Sequence, residues 1–177
     1  MSGIRRIAVF PAAAVGHWRR KAKQLKKKTG VSHHEALDIV AREIGHLPDW
    51  HHLIEQAKAN ERSEGAFKAG LVIGMDPKDA DFNLSHLINF VPDERLVMFV
   101  HSEFEEQHPK PWSEHVESMW EGYEELVYIR CKGAAPGTLE EAFEVCRKDF
   151  FFQPLYIRLR GRVEQTFLEE EYEDVLP

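Results

Sequence analysis

Seven lysine and arginine side chains lie between residues 19 and 28, where the sequence reads RRKAKQLKKK. Cations at this density can bind the phosphates of a nucleic acid or the carboxylates of an acidic protein. On a helix, residues three or four positions apart share a face. We therefore predict a binding surface made by Arg19, Arg20, Lys23, Lys26 and Lys27. A solvated helix face that meets the acidic part of the chain explains the same charges, and both interpretations stay open.

Ten histidines form a second group with possible chemistry, and they include the doublets His33–His34 and His51–His52. Adjacent helical residues point about 100° apart, so a doublet cannot chelate one ion by itself. A zinc site would need one histidine of each doublet together with His46 and Asp49. Neither HExxH nor CxxC occurs, and helix capping or packing accounts for histidines equally well. We assign no metal ligand and predict no cofactor.

His101 and Glu103 are candidates for an acid–base pair at the end of an apolar run. Together with a histidine of the N-terminal half, they would make a small metal-assisted enzyme. Arg158, Arg160 and Arg162 alternate with apolar residues, which predicts one wet face of a strand. That face could take an anion or form salt bridges with acidic helices.

The elements that position the cations and the first histidines are predicted to be helices. Gly30 ends the first helix, and Ser32 with Glu35 forms a capping box at the start of the second. A strand before them would end at Pro11. The predicted elements are a strand at Ile4–Phe10, a helix from about His17 to Thr29, a helix from Ser32 to Gly45, and a third helix, WHHLIEQAKAN, capped by Asp49.

Beyond residue 60 the pattern predicts strands mixed with helices. Phe67–Met75 is ambiguous between helix and strand because its glycines weaken either one. The other predicted elements are a strand at Arg95–His101, a helix at Pro111–Tyr123, a strand at Leu126–Cys131, a helix at Leu139–Phe150 and a strand at Tyr156–Val163. This order predicts an α+β fold, in which a basic helical module over residues 1–60 precedes an acidic domain over residues 61–177 with a mixed sheet and flanking helices.

Charge divides along the chain in the same way. Residues 1–70 carry 13 Lys and Arg against 7 Asp and Glu, whereas residues 71–177 carry 10 against 23. The whole chain of 177 residues has a net charge of -7 and is 43% hydrophobic, which is typical of a folded protein. No apolar run reaches the roughly 20 residues of a membrane-spanning helix. Cys131 and Cys146 fit two buried thiols, so we expect a cytoplasmic protein that does not contact a membrane.

Two resemblances bear on the first part of the chain. The strand IRRIAVF, the basic helix ending in KKTG and the segment VSHHEALDIVAREIG resemble, over residues 4–45, the ribbon-helix-helix family of DNA-binding regulators. That resemblance implies a dimer, with Arg5 facing bases and the Val31–His33 backbone meeting phosphate. Residues 21–55 also resemble a short helical module at the start of some bacterial proteins of the glyoxalase superfamily, through S-H-x-E-A-L, A-x-E-x-G and D-W. This second resemblance implies no role.

The leading prediction is a non-enzymatic binding protein whose basic N-terminal helices contact nucleic acid or an acidic protein. One alternative is the metal-assisted enzyme that uses His101 and Glu103. Another is an assembly protein whose N-terminal part docks on the acidic half of a second copy, which leaves a homo-oligomer open.

Overall fold

The structure of the protein is a computed structural model that describes residues 9–80 and 87–166. Within these residues the chain forms an α+β fold, as predicted. The helices are α1 (Ala12–Thr29), α2 (His33–Gly45), α3 (Trp50–Ala69), α4 (Leu96–Gln107), α5 (Glu114–Glu124) and α6 (Leu139–Asp149). The strands are β1 (Leu71–Met75), β2 (Phe90–Pro92), β3 (Val127–Cys131), β4 (Tyr156–Leu159) and β5 (Arg162–Thr166).

The chain divides into two compact units, residues 1–62 and residues 63–177. Among the described helices, none is long and apolar enough to cross a bilayer.

In the first unit, α1 and α2 form a helical hairpin. Gly30 adopts the left-handed conformation and donates its N–H to the Lys26 carbonyl, which ends α1 as predicted. Ser32 accepts a hydrogen bond from the Glu35 N–H at 3.1 Å, as the capping box predicts. Trp18 and Ala22 of α1 are buried in one apolar cluster with Val40 of α2. Two caps and one shared apolar seam therefore define the hairpin.

The N-terminal boundary of α1 differs from the prediction. The helix begins at Ala12 rather than near His17, because the three alanines after Pro11 are strong helix formers and extend the helix by more than a turn. Of the predicted strand, residues 4–8 lie outside the described residues. Phe10 belongs to neither a helix nor a strand and packs on Trp18, with ring centroids 4.7 Å apart.

The corner between α2 and α3 is held by two aspartates. Asp38 accepts a hydrogen bond from the Trp50 N–H at 2.9 Å, and Asp49 accepts one from the His52 N–H at 2.9 Å. His46 takes the left-handed conformation at the end of α2, with φ of 49°. α3 then continues to Ala69, beyond the predicted WHHLIEQAKAN, because the single glycine in its path weakens a helix without ending it.

The sheet of the second unit has the strand order β2-β3-β1-β4-β5, and its strands pair antiparallel throughout the described residues. Ile73 of β1 lies opposite Ile129 of β3 and Ile157 of β4. The predicted mixed sheet is therefore wrong. The predicted strand–helix–strand unit is present as β3-α6-β4. Such a unit often joins two neighbouring parallel strands, but here β1 lies between β3 and β4 and pairs antiparallel with both.

Helices cover both faces of this sheet. Leu71, Ile73 and Met75 of β1 pack in the cluster that includes Cys146 of α6, whereas Val72 packs in the cluster that includes Leu96 of α4. The alternation follows from the two-residue period of a strand. Flanking helices were predicted, and a strand buried on both faces explains why the segment around β1 shows no polar alternation.

Two predicted strands of the second unit are corrected. Arg95–His101 is the start of α4, whose residues Leu96, Val100 and Phe104 are buried at four-residue spacing. A short apolar run fits a buried helix as well as a strand, and the polar residues beyond His101 continue the helix here. Tyr156–Val163 is a hairpin rather than one strand, because Arg160 and Gly161 form a turn with φ of 50° and 81°.

Two glycine substitutions test these assignments in the second unit. A β-carbon at Gly161 would lie 2.6 Å from the Lys68 carbonyl oxygen, and the positive φ disfavours any side chain. Gly161→Ala should therefore lower the free energy of unfolding by at least ~1–2 kcal/mol. Gly65→Ala adds a methyl group in open space within α3 and should raise it by about 0.5–1 kcal/mol. Urea unfolding followed by circular dichroism measures both, and equal effects would contradict the hairpin turn.

Candidate binding surface

The five predicted cations share one side of α1. With about 100° between successive residues, Arg19, Arg20, Lys23, Lys26 and Lys27 fall within an arc of about 120°. All five side chains are exposed, whereas Trp18 and Ala22 on the opposite side are buried at 9% and 0% exposure. The apolar seam with α2 therefore fixes which way the cations point. We call these five residues the cationic stripe.

The cationic stripe is not neutralised by the described part of the protein. None of its five residues forms a salt bridge with another described residue. Arg19, Lys23 and Lys27 follow one another at four-residue spacing, and like charges at that spacing destabilise a helix by about 0.2–0.5 kcal/mol per pair. Only the lysines of the last turn gain from the helix dipole. The helix dipole therefore favours Lys26 and Lys27 but not the other three cations of the stripe.

Two further lysines of α1 lie off the stripe. Lys21 and Lys28 project about 160° and about 140° from its centre, so they border the buried side of the helix. Both are exposed and have the same charge as the stripe lysines. They provide a matched control for any effect of net charge.

Trp18 cannot stack on an external base in this arrangement. Its side chain is 9% exposed and meets Phe10 edge to face within the hairpin core. No phenylalanine, tyrosine or tryptophan lies among the exposed residues of α1. The exposed side of this helix is therefore a charged surface without an aromatic platform.

The start of α2 presents exposed polar groups beside the end of α1. His33 and His34 are exposed, and the His34 ring lies 3.5 Å from the Asp38 carboxylate. Ser32 already accepts the Glu35 N–H. The Val31–His33 backbone that the ribbon-helix-helix resemblance assigns to phosphate is at this corner, while Arg5 lies outside the described residues.

The histidines of the first half do not converge on one point. His52 donates through its backbone N–H to Asp49, and its ring nitrogen lies 2.9 Å from the same carboxylate oxygen. These hydrogen bonds, the backbone one foremost, hold the pKa of Asp49 below its usual value. Over residues 9–80 and 87–166, no group of three or more His, Cys, Asp or Glu side chains is placed to hold a metal ion.

His101 and Glu103 do not form the predicted acid–base pair. Two positions apart on α4, their side chains point in directions about 160° apart around the helix axis. The His101 ring packs on Trp120 with centroids 4.5 Å apart and lies 3.6 Å from Glu105. A hydrogen bond from Lys110 to Glu105 holds the pKa of that carboxylate below its usual range. The catalytic role predicted for the pair therefore has no geometric support.

Glu103 instead binds the buried guanidinium of Arg158. Nη1 of Arg158 donates to Glu103, Nε donates to the Phe67 carbonyl at 2.9 Å, and Nη2 donates to the Gly161 carbonyl at 2.9 Å. The guanidinium also stacks on the Phe67 ring, 3.8 Å from its centroid. The predicted wet arginine face is therefore wrong for Arg158, which is 5% exposed, while Arg160 in the turn and Arg162 of β5 are exposed.

Sequence reasoning also missed a second ion pair, between the partly buried Arg130 of β3 and the buried Asp93. The Arg130 Nε donates to Asp93 at 2.9 Å, and the Ser63 hydroxyl donates to the same oxygen at 2.6 Å. Asp93 follows β2 and precedes α4, where an aspartate commonly caps a turn. The position of Asp93 could therefore have indicated a turn cap from sequence. Its partners Ser63 and Arg130 lie 30 and 37 positions away, and no sequence pattern indicated that they would bind it.

Comparisons with known proteins do not place this chain in a family. No family model, no curated protein and no solved structure matches it. The ribbon-helix-helix and glyoxalase-superfamily resemblances therefore stay predictions from sequence.

The contrast between Glu103 and Glu105 is testable on one helix. Glu103→Gln removes the charge that balances the buried Arg158 guanidinium and should lower the free energy of unfolding by about 1–3 kcal/mol. Glu105→Gln weakens the solvent-accessible contacts with Lys110 and His101 and should change stability much less. Urea denaturation of both variants measures the difference. Equal losses would contradict a structural role specific to Arg158 and Glu103.

Proposed function

We propose that the protein binds nucleic acid through the cationic stripe of α1, by contacts to the phosphate backbone. The observation that carries the proposal is the placement of five exposed cations on one side of a helix, without a salt bridge to any other described residue. α1 is held by the buried seam with α2 and by the Gly30 cap at its C-terminal end, so the cations need little reorganisation to bind.

The length of the stripe suits a run of phosphates. At about 1.5 Å per residue, Arg19 and Lys27 are separated by about 12 Å along the helix axis. Duplex DNA carries one negative charge per about 1.7 Å of its axis, so several phosphates lie within reach of the stripe. Each neutralised phosphate releases a counterion, and the affinity then falls steeply with salt.

The composition of the stripe favours a duplex over a single strand. Binding to single strands relies on aromatic side chains that stack on bases, and the exposed side of α1 has none. Three of the five cations are lysines, which contact phosphates as point charges and carry no base specificity by themselves. We therefore propose binding that depends little on sequence.

The chain as a whole is acidic, whereas the stripe is locally cationic. Residues 71–177 carry 13 more Asp and Glu than Lys and Arg. At physiological salt the Debye length is about 8 Å, so the stripe acts through local contacts rather than through the net charge of the protein. An acidic protein would meet the same cations through carboxylates, and the experiment separates that partner from nucleic acid.

Charge reversal on the stripe tests the proposal. Lys23→Glu combined with Lys27→Glu should weaken binding to a mixed-sequence 20-base-pair duplex at least tenfold and reduce the slope of log affinity against log salt by about 2. Fluorescence anisotropy across a salt series measures both quantities. Circular dichroism verifies that the helices of the variant are retained.

The control is Lys21→Glu combined with Lys28→Glu, which makes the same change in net charge off the stripe. Its effect on affinity should be several times smaller. Equal losses in the two variants would reduce the proposal to an effect of net charge, and unchanged binding in the stripe variant would refute it. Displacement of the duplex by polyglutamate, at the same charge concentration as competitor DNA, would identify an acidic protein as the partner instead.

A further inference from the structure

A cavity of about 510 Å³ opens at one end of the sheet in the second unit, and none of the residues that line it belongs to the cationic stripe. Pro92 at the end of β2, Val97 of α4, and Leu126 and Val127 at the start of β3 provide apolar walls. Pro92, Val97 and Val127 remain partly exposed, so the cavity offers apolar surface that no other residue of the described ranges 9–80 and 87–166 covers fully. Its volume lies within the range of about 300–1,000 Å³ that small-molecule sites occupy.

The charged groups that line this cavity are carboxylates. Glu94 and Glu124 are exposed, and neither forms a salt bridge with another described residue. No lysine or arginine is among the described residues that line the cavity. An apolar body with a positive charge at its edge would therefore complement both the walls and the mouth.

The segment that forms part of this cavity is fixed before any ligand arrives. Asp93, which also lines the cavity and is 8% exposed, is bound by the Ser63 hydroxyl and by Arg130 Nε. Its other carboxylate oxygen accepts the Arg95 N–H at 3.2 Å, and its backbone N–H donates to the Tyr128 carbonyl at 3.0 Å. Asp93 is thus committed to holding the turn between β2 and α4. Glu94 directly follows this hydrogen-bonded residue, which reduces the backbone entropy lost on binding.

We propose that this cavity binds a small organic cation, an amine attached to an aromatic or branched aliphatic body. The apolar body lies against Val97, Leu126 and Val127, and the ammonium group faces Glu94 and Glu124. The site is independent of the nucleic-acid proposal, since none of its residues belongs to α1.

The test uses three naphthalene probes of nearly equal shape: 1-naphthylmethylamine, 1-naphthylmethanol and 1-naphthoate. Binding to the full chain is followed by ¹⁵N–¹H correlation spectra. The amine should shift amides in residues 93–97 and 124–128 and bind about tenfold more tightly than the alcohol, and the carboxylate should bind most weakly. Absence of binding by the amine, equal binding of amine and alcohol, or shifts confined to other residues would each overturn the proposal.

Substitutions of the two glutamates then test which carboxylates bind the ammonium group. Glu94→Gln and Glu124→Gln should each weaken binding of the amine about 2–5-fold, the range of a solvent-exposed ion pair, and leave binding of the alcohol unchanged. Glu125→Gln is the matched control, since this exposed neighbour of Glu124 does not line the cavity and should leave both affinities unaltered. An equal loss in Glu125→Gln would show that only the general field of the acidic unit attracts the amine, and would also overturn the proposal.

Discussion

The buried guanidinium of Arg158 is the constraint on which the second unit depends. A guanidinium stays charged at every accessible pH, so a chain that buries one must surround it with acceptors. The acceptors here come from the end of α3, from α4 and from the β4–β5 turn, through Phe67, Glu103 and Gly161. An unpaired charge in that place would cost several kcal/mol. One side chain of β4 therefore specifies the positions of three other elements at once.

Local signals in the sequence predict much of the fold. The caps at Gly30 and Ser32, and the helices α2, α5 and α6, follow from hydrogen-bonding side chains and apolar spacing within a few residues. The errors arise where distant partners decide. Arg95–His101 is apolar enough for either a strand or a helix. It forms a helix here because Leu96 and Val100 pack in one apolar cluster with residues of α5. The position of β1 between β3 and β4 depends on pairings that no local pattern encodes.

For the same reason, the sequence predicts the cationic stripe but not the roles of Glu103 and Arg158 or the cavity. The cationic stripe rests on helical periodicity alone, so its residues were identifiable from spacing before any coordinates. The roles of Glu103 and Arg158 depend on neighbours 55 positions apart in sequence, and alternation with apolar residues gave a misleading indication of exposure. The cavity beside Asp93 joins β2, α4, α5 and β3, and nothing in the order of residues indicates that these segments meet.

The central place of β1 in the sheet has a consequence for the order in which the protein assembles. Its two partner strands lie about 55 and about 85 positions later in the chain. Pairing β1 with either strand therefore closes a long loop, and the entropy of that closure is lost before the strands gain any hydrogen bond. The α1–α2 hairpin, in contrast, brings together residues only a short turn apart. During synthesis, β1 leaves the ribosome well before β3 and β4, so its five apolar residues stay unpaired until both partner strands have been made. We expect the helical hairpin to form in microseconds to milliseconds and the sheet to set the overall folding rate.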